Sequence, residues 1–190
     1  MSAAPALAAL ACGLLLTSCA TTEEPAPRQY LDEHTAATVT VAAGGLVFVR
    51  ARPEFAVNAR DYLTIVPVDV NRGGTHVQYF YGYVWSTIDK PPDAAAQPAT
   101  FVLVADGRQI PLAQVGTPVR SLGFGEIPVA PPAHNALPLI SVTDREVLQF
   151  LVRAQALSVV ATRDGIGERY DLWTDQRSAI EEFLHGSPRG

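Results

Sequence analysis

Four histidines, His34, His76, His134 and His185, are the side chains of this 190-residue chain best suited to bind a metal or carry a proton. Two imidazoles reach one ion when they stand as H-x-H or at i, i+4, and none of the four is so spaced. The metal reading is therefore none, and no cofactor is expected. A serine nucleophile would show as G-x-S-x-G or S-x-x-K, and neither pattern occurs. A hydrolase would need polar residues drawn together from distant loops, for instance 123–138. Gly123-Phe124-Gly125 and Gly165-Ile166-Gly167 lack both the phosphate-loop lysine and the dinucleotide spacing, so they read as turns. Asp164, Glu168, Asp171 and Asp175 gather near the C-terminus without the alternation and distal glutamate of a calcium loop. They read as solvent-facing carboxylates around a turn, and Asp32-Glu33 as a solvated pair in a linker. No two carboxylates take general acid and base roles from spacing alone.

One run resists so plain a reading. In Gln78-Tyr79-Phe80-Tyr81-Gly82-Tyr83-Val84-Trp85 the side chains of a strand alternate faces, so Tyr79, Tyr81, Tyr83 and Trp85 share one side and Phe80 and Val84 the other. Two apolar faces fit a central strand with a partly covered outer side. They also fit a recognition strip for a protein segment, peptide or glycan, since aromatic residues concentrate in interface cores.

Leu16-Thr17-Ser18-Cys19 closes an apolar run, 6–16, with no charge before Glu23. That run is too short for a bilayer-spanning helix, which needs about 20 residues, and suits a signal-peptide core. The tetrapeptide resembles the lipobox of bacterial lipoproteins. The resemblance covers about the first 20 residues. It implies cleavage between Ser18 and Cys19, lipidation of Cys19 and a lipid anchor (palmitate among its acyl chains) in a membrane. Ala20, where an aspartate would signal retention at the inner membrane, implies the outer membrane of a Gram-negative envelope. Cys12 and Cys19 are the two cysteines, so cleavage leaves no free thiol for a disulfide, a thiolate site or a nucleophile.

The elements expected to carry these residues are strands. After the signal peptide (1–18), Thr, Glu, Pro and Ala dominate a linker (19–35), followed by one β-rich domain (36–186) and a short tail (187–190). The net charge of −5 and pI near 5.3 argue against a nucleic-acid partner, which needs clustered Lys or Arg. Runs 38–41 and 46–49 flank Ala42-Ala43-Gly44-Gly45 like a hairpin with a glycine turn. Runs 61–70 and 76–85 read as antiparallel neighbours, and 100–105 and 108–114 bracket Asp106-Gly107, a strong hairpin signal. Prolines 128, 131, 132 and 138 make 123–138 a long crossover. Beyond a strand at 139–142, Thr143-x-x-Glu146 predicts a capping box on a helix to about residue 154, with Val147, Leu148, Phe150 and Leu151 facing inward. A hairpin, 157–162 and 168–173, then surrounds 164–167. Asp175 caps a final helix whose stripe is Ile180, Phe183 and Leu184 and whose stop is Gly186. The fold expected is mostly β, an antiparallel β-sandwich or partly open barrel with two short helices in the C-terminal third.

Anchor, spacer, compact β body and no nucleophile motif together indicate a membrane-anchored envelope lipoprotein whose domain is a non-enzymatic binding or scaffolding module, with an envelope protein, peptide or glycan as partner. The alternative is a periplasm-facing hydrolase acting on cell-wall or glycan material.

Overall fold

Three two-residue turns set the strand pairing in the computed structural model, which describes residues 26–88, 100–112, 122 and 124–186. The signal peptide, the lipobox with Ser18 and Cys19, linker residues 20–25, Gly123 and the tail lie outside the described residues. Gly73-Gly74 joins β4 (Arg60–Arg72) to β5 (Thr75–Ser86), Asp106-Gly107 joins β6 (Thr100–Ala105) to β7 (Arg108–Leu112), and Asp164-Gly165 joins β9 (Leu157–Arg163) to β10 (Ile166–Asp175). All six turn residues have positive φ, between 47° and 89°, which tight turns of this twist require at both central positions. The last turn is shorter than the expected 164–167 loop: Ile166 already belongs to β10.

The remaining strands are β1 (Arg28–Asp32), β2 (Ala37–Val41), β3 (Leu46–Ala51) and β8 (Leu137–Thr143), and every pairing is antiparallel. Eight strands run in the order β7-β6-β9-β10-β3-β4-β5-β8, and β2 with β1 joins the upper half of β4. The end strands β7 and β8 approach each other with no ladder between them among the described residues. The sheet is curled and not closed, as the expected fold class requires.

The stretch 42–45 is not the turn of a hairpin. β2 and β3 do not pair with each other; both run antiparallel to β4 along the same edge, Val41 opposite Val68 and Leu46 opposite Ile65. The offset between those two registers accommodates two extra residues, so 42–45 is a bulge that interrupts one long strand. Its cause lies in β4. Pro67 turns its carbonyl toward this edge, where Ala42 N–H donates to it at 3.0 Å, but has no N–H of its own to offer there. The glycine is needed for close approach: a Cβ on Gly45 would fall 2.1 Å from the Ile65 carbonyl oxygen.

The linker also ends sooner than composition suggests. Residues 28–32 form β1 against β2, with Tyr30 opposite Val39, so the folded body begins inside the expected 19–35 spacer. Asp32 is buried, not solvated. Its carboxylate accepts the amides of Gly125 and His34, and that fixes the crossover loop to the β1–β2 turn. Pro138 lies within β8 rather than before it, tolerated because β8 is an edge strand.

Helix α1 (Arg145–Arg153) starts one residue later than the capping-box spacing predicts. The cap is Asp144, whose Oδ1 accepts the Val147 amide at 2.8 Å, while Thr143 closes β8. Leu148 and Leu151 are its buried residues, as expected. Helix α2 (Arg177–Gly186) buries Ala179, Ile180, Phe183 and Leu184 and packs on α1 and β4. Asp175 accepts the Arg177 amide just ahead of it.

Both faces are buried along 65–70 of β4 and 79–83 of β5. Opposite residues in a ladder share a face, so Leu46, Phe48, Leu63 and Leu139 belong to the inner face of the curled sheet, which the helices help to cover. The other face of β5 carries Tyr79, Tyr81 and Tyr83 beneath Phe124 of the crossover loop. Gly82 lies on the inner face and serves the close approach of β4 instead, since a Cβ there would meet the Thr64 carbonyl oxygen at 1.7 Å.

Candidate functional site

Tyr79, Tyr81 and Tyr83 do fall on one side of a strand, but that side is core, and no accessible strip is formed by them. The Tyr81 ring stands edge-on to Phe124 at 5.6 Å and to Tyr83 at 5.8 Å. The Tyr83 hydroxyl donates to the Val129 carbonyl at 2.7 Å. Burial pushes the Tyr81 hydroxyl far above its ordinary pKa, and its donation to Tyr83 adds to the shift. This pair is a two-step hydrogen-bond relay that ties β5 to the crossover loop.

Trp85, the fourth aromatic of the run, is only half-buried. It stacks flat on Tyr62 of β4, ring centroids 4.2 Å apart and planes 12° apart, with its Nε1 turned to Thr64 Oγ1 at 3.4 Å. The row continues across neighbouring strands as Trp85, Tyr62, Val49 and Asp171. Beside it Val47 lies opposite Thr64 and Thr174. The register of β10 slips between Leu172 and Thr174, and the extra residue, Trp173, is 68% exposed. A bulge re-aims a side chain in this way. β3, β4, β5 and β10 therefore present an outward face of two tryptophans, a tyrosine and two valines. Their backbone groups are engaged by neighbours on both sides over this stretch of β3 and β4, so the face offers side chains and not a strand edge.

The titratable groups are arranged differently. Asp69 is buried, and its Oδ2 lies 2.8 Å from His76 Nδ1, which orients the imidazole. Gln78 stands opposite Asp69, and Thr143 opposite Gln78. Asp69 Oδ1, Gln78 Oε1 and Thr143 Oγ1 are buried without a protein partner. This row across β4, β5 and β8 can accept a small hydrogen-bond donor, and it holds a histidine drawn against a buried carboxylate. At the other end of the sheet Arg50 pairs with Glu168, and Arg52 pairs with Asp61 and Glu54. Glu168, Asp171 and Asp175 each have their own arginine, Arg50, Arg169 and Arg177, which separates the acidic residues that the sequence gathers. Among the described residues no three His, Cys, Asp or Glu side chains are grouped to hold a metal ion.

Asp32 lines a cavity of about 300 Å³ with Tyr30, Leu31, Glu33, His34 and Glu126. Burial works to raise its pKa, but the backbone amides of Gly125, His34, Thr35 and Glu126 outweigh it and hold the carboxyl below the ordinary range. Both oxygens are thus occupied with fastening two segments. Sequence spacing gives no sign of this role, because Gly125 is 93 residues away. Trp173 was equally hidden, since a bulge depends on the facing strand.

Compared with protein-family models, curated proteins and solved structures, the chain matches none.

Proposed function

We propose that this chain is a lipoprotein of the bacterial envelope, tethered through Cys19 in the outer membrane, whose β domain is a non-enzymatic module that binds another envelope protein. The observation that carries the binding role is the outward face of β3, β4, β5 and β10, where exposed Trp173 stands beside the Tyr62–Trp85 stack and Val49. Tryptophan and tyrosine clustered on a rigid surface are the residues that dominate protein interfaces. The tether supports the same reading, because a lipid anchor confines the domain to the surface where its partner resides. The Asp69–His76 pair is the feature that would serve a hydrolase, and it lies apart from this face.

The test places a photo-crosslinking residue at position 173 of the full chain in cells, with Gln149 on α1 as the control position. The reading expects an adduct with one defined protein at 173, abolished by Val49→Asp and unchanged by His76→Gln. Adducts no more abundant at 173 than at 149 would overturn it. An adduct with a peptide or glycan instead would change the partner and keep the surface, and an adduct lost in His76→Gln would return weight to the hydrolase.

A further inference from the structure

We propose that the end of the domain opposite the helices rests on the bilayer, with Phe55, Val57 and Ile166 inserted among the lipid headgroups. This rests on the lipoprotein reading.

The loop 52–59 joins β3 to β4 and reads Arg52-Pro53-Glu54-Phe55-Ala56-Val57-Asn58-Ala59. Its apolar side chains point outward: Phe55 is 60% and Val57 92% exposed. The loop is nonetheless fixed. Arg52 N–H donates to the Ala59 carbonyl at 2.9 Å, Phe55 N–H to the Arg52 carbonyl at 3.0 Å, and Arg60 Nη1 to the carbonyls of Val57 and Ala59. The Arg52 guanidinium sits 4.6 Å above the Phe55 ring. A closed loop that holds its largest apolar groups in solvent has paid in advance for an apolar contact. The neighbouring tip agrees with it. β10 pairs with β3, and the Arg50–Glu168 ion pair joins those two strands near this end, so the Asp164-Gly165 turn lies on the same side as the loop and is followed by Ile166 at 68% exposure.

The tether says what covers these tips. Arg28 is opposite Val41, and β1 runs from there away from the 52–59 end, so the chain enters β1 from the side of the tips. Eight residues, 20–27, separate Cys19 from Arg28, so nine Cα-to-Cα steps give a reach of about 30 Å. From Val41 to Ala51 the strand advances ten residues, two of them absorbed by the bulge, which is about 26 Å. A lipid on Cys19 therefore reaches the level of Ala51, where the 52–59 loop begins. The helices and the Gly73-Gly74 turn then face away from the membrane, and the Trp173 face stands along its normal, open to a partner in the same envelope layer.

The experiment uses the full, lipidated chain in vesicles of phosphatidylethanolamine and phosphatidylglycerol doped with spin-labelled lipid. A fluorophore sensitive to that quencher is attached at Val57→Cys or, as the distal control, at Thr75→Cys, and the mass of the N-terminal peptide of each preparation reports acylation of Cys19. Insertion of about 5–10 Å predicts quenching at position 57 at least about twofold stronger than at 75. Equal quenching at the two positions in an acylated chain would overturn the inference and leave the lipoprotein reading standing. A chain with unmodified Cys19 would overturn both.

Discussion

Replacing Tyr81 with serine tests whether β5 is buried on both faces. The ring is 1% exposed and packs edge-on against Phe124 and Tyr83. Truncating a buried aromatic to a small residue costs about 3–5 kcal/mol, and the two edge-to-face contacts place this one in the upper part of that range. A domain of this size holds about 5–15 kcal/mol in total, so the variant stays folded but loses a large share of its margin. With a urea dependence of about 2 kcal/mol per molar, a loss of about 4 kcal/mol lowers the unfolding midpoint by about 2 M. Equilibrium urea unfolding followed by tryptophan emission reads this directly. Two companions fix the interpretation. Tyr83→Phe keeps the ring and removes the donor to the Val129 carbonyl, which costs about 1–3 kcal/mol for a buried acceptor left unmade. Trp173→Ala, on the exposed face, should stay within about 0.5 kcal/mol of the parent. A midpoint shift below about 0.5 M for Tyr81→Ser, no larger than that of Trp173→Ala, would refute the packing of the crossover loop on β5.

Asp32 gives a pH prediction. Its folded-state pKa lies below the ordinary 3.8, so its stabilisation is fully present above that value and is lost as pH falls through the folded pKa. Asp32→Asn should be less stable than the parent at neutral pH and approach it in acid, as measured by thermal midpoints at several pH values. A constant gap between the two would contradict the amide-cradled carboxylate. Gly82→Ala forces a Cβ against the Thr64 carbonyl and should cost about 1–3 kcal/mol or more by urea unfolding, whereas crowding plays no part at Gly73, which has open space around it. Replacing Asp106-Gly107 with two valines should lower the thermal midpoint, because both positions need positive φ and Asp106 also accepts the amides of Gln155 and Ala156.

What the sequence makes legible is what neighbouring residues decide. Asp106-Gly107, Gly73-Gly74 and Asp164-Gly165 announce their turns because backbone freedom is wanted within two residues of the signal. Gly44-Gly45 announces the same freedom for a different use, and only Pro67 and Ile65 on the facing strand determine that the chain bulges instead of reversing. β1 escapes notice because Arg28, Gln29 and Asp32 resemble linker residues until β2 and Gly125 are beside them. The alternation in 78–85 is read correctly, but which face meets solvent depends on where Phe124 comes to rest. For the same reason the accessible aromatic side chains of this sheet face are Trp173, Trp85 and Tyr62 and not the three tyrosines of β5.

The tether on which the domain's placement depends is tested most directly by the intact mass of the chain purified from the membranes of a Gram-negative host. The account predicts a chain beginning at Cys19 and heavier than its residues by glycerol-linked fatty acyl groups. A chain that retains residues 1–18, with Cys19 a free thiol, would contradict it.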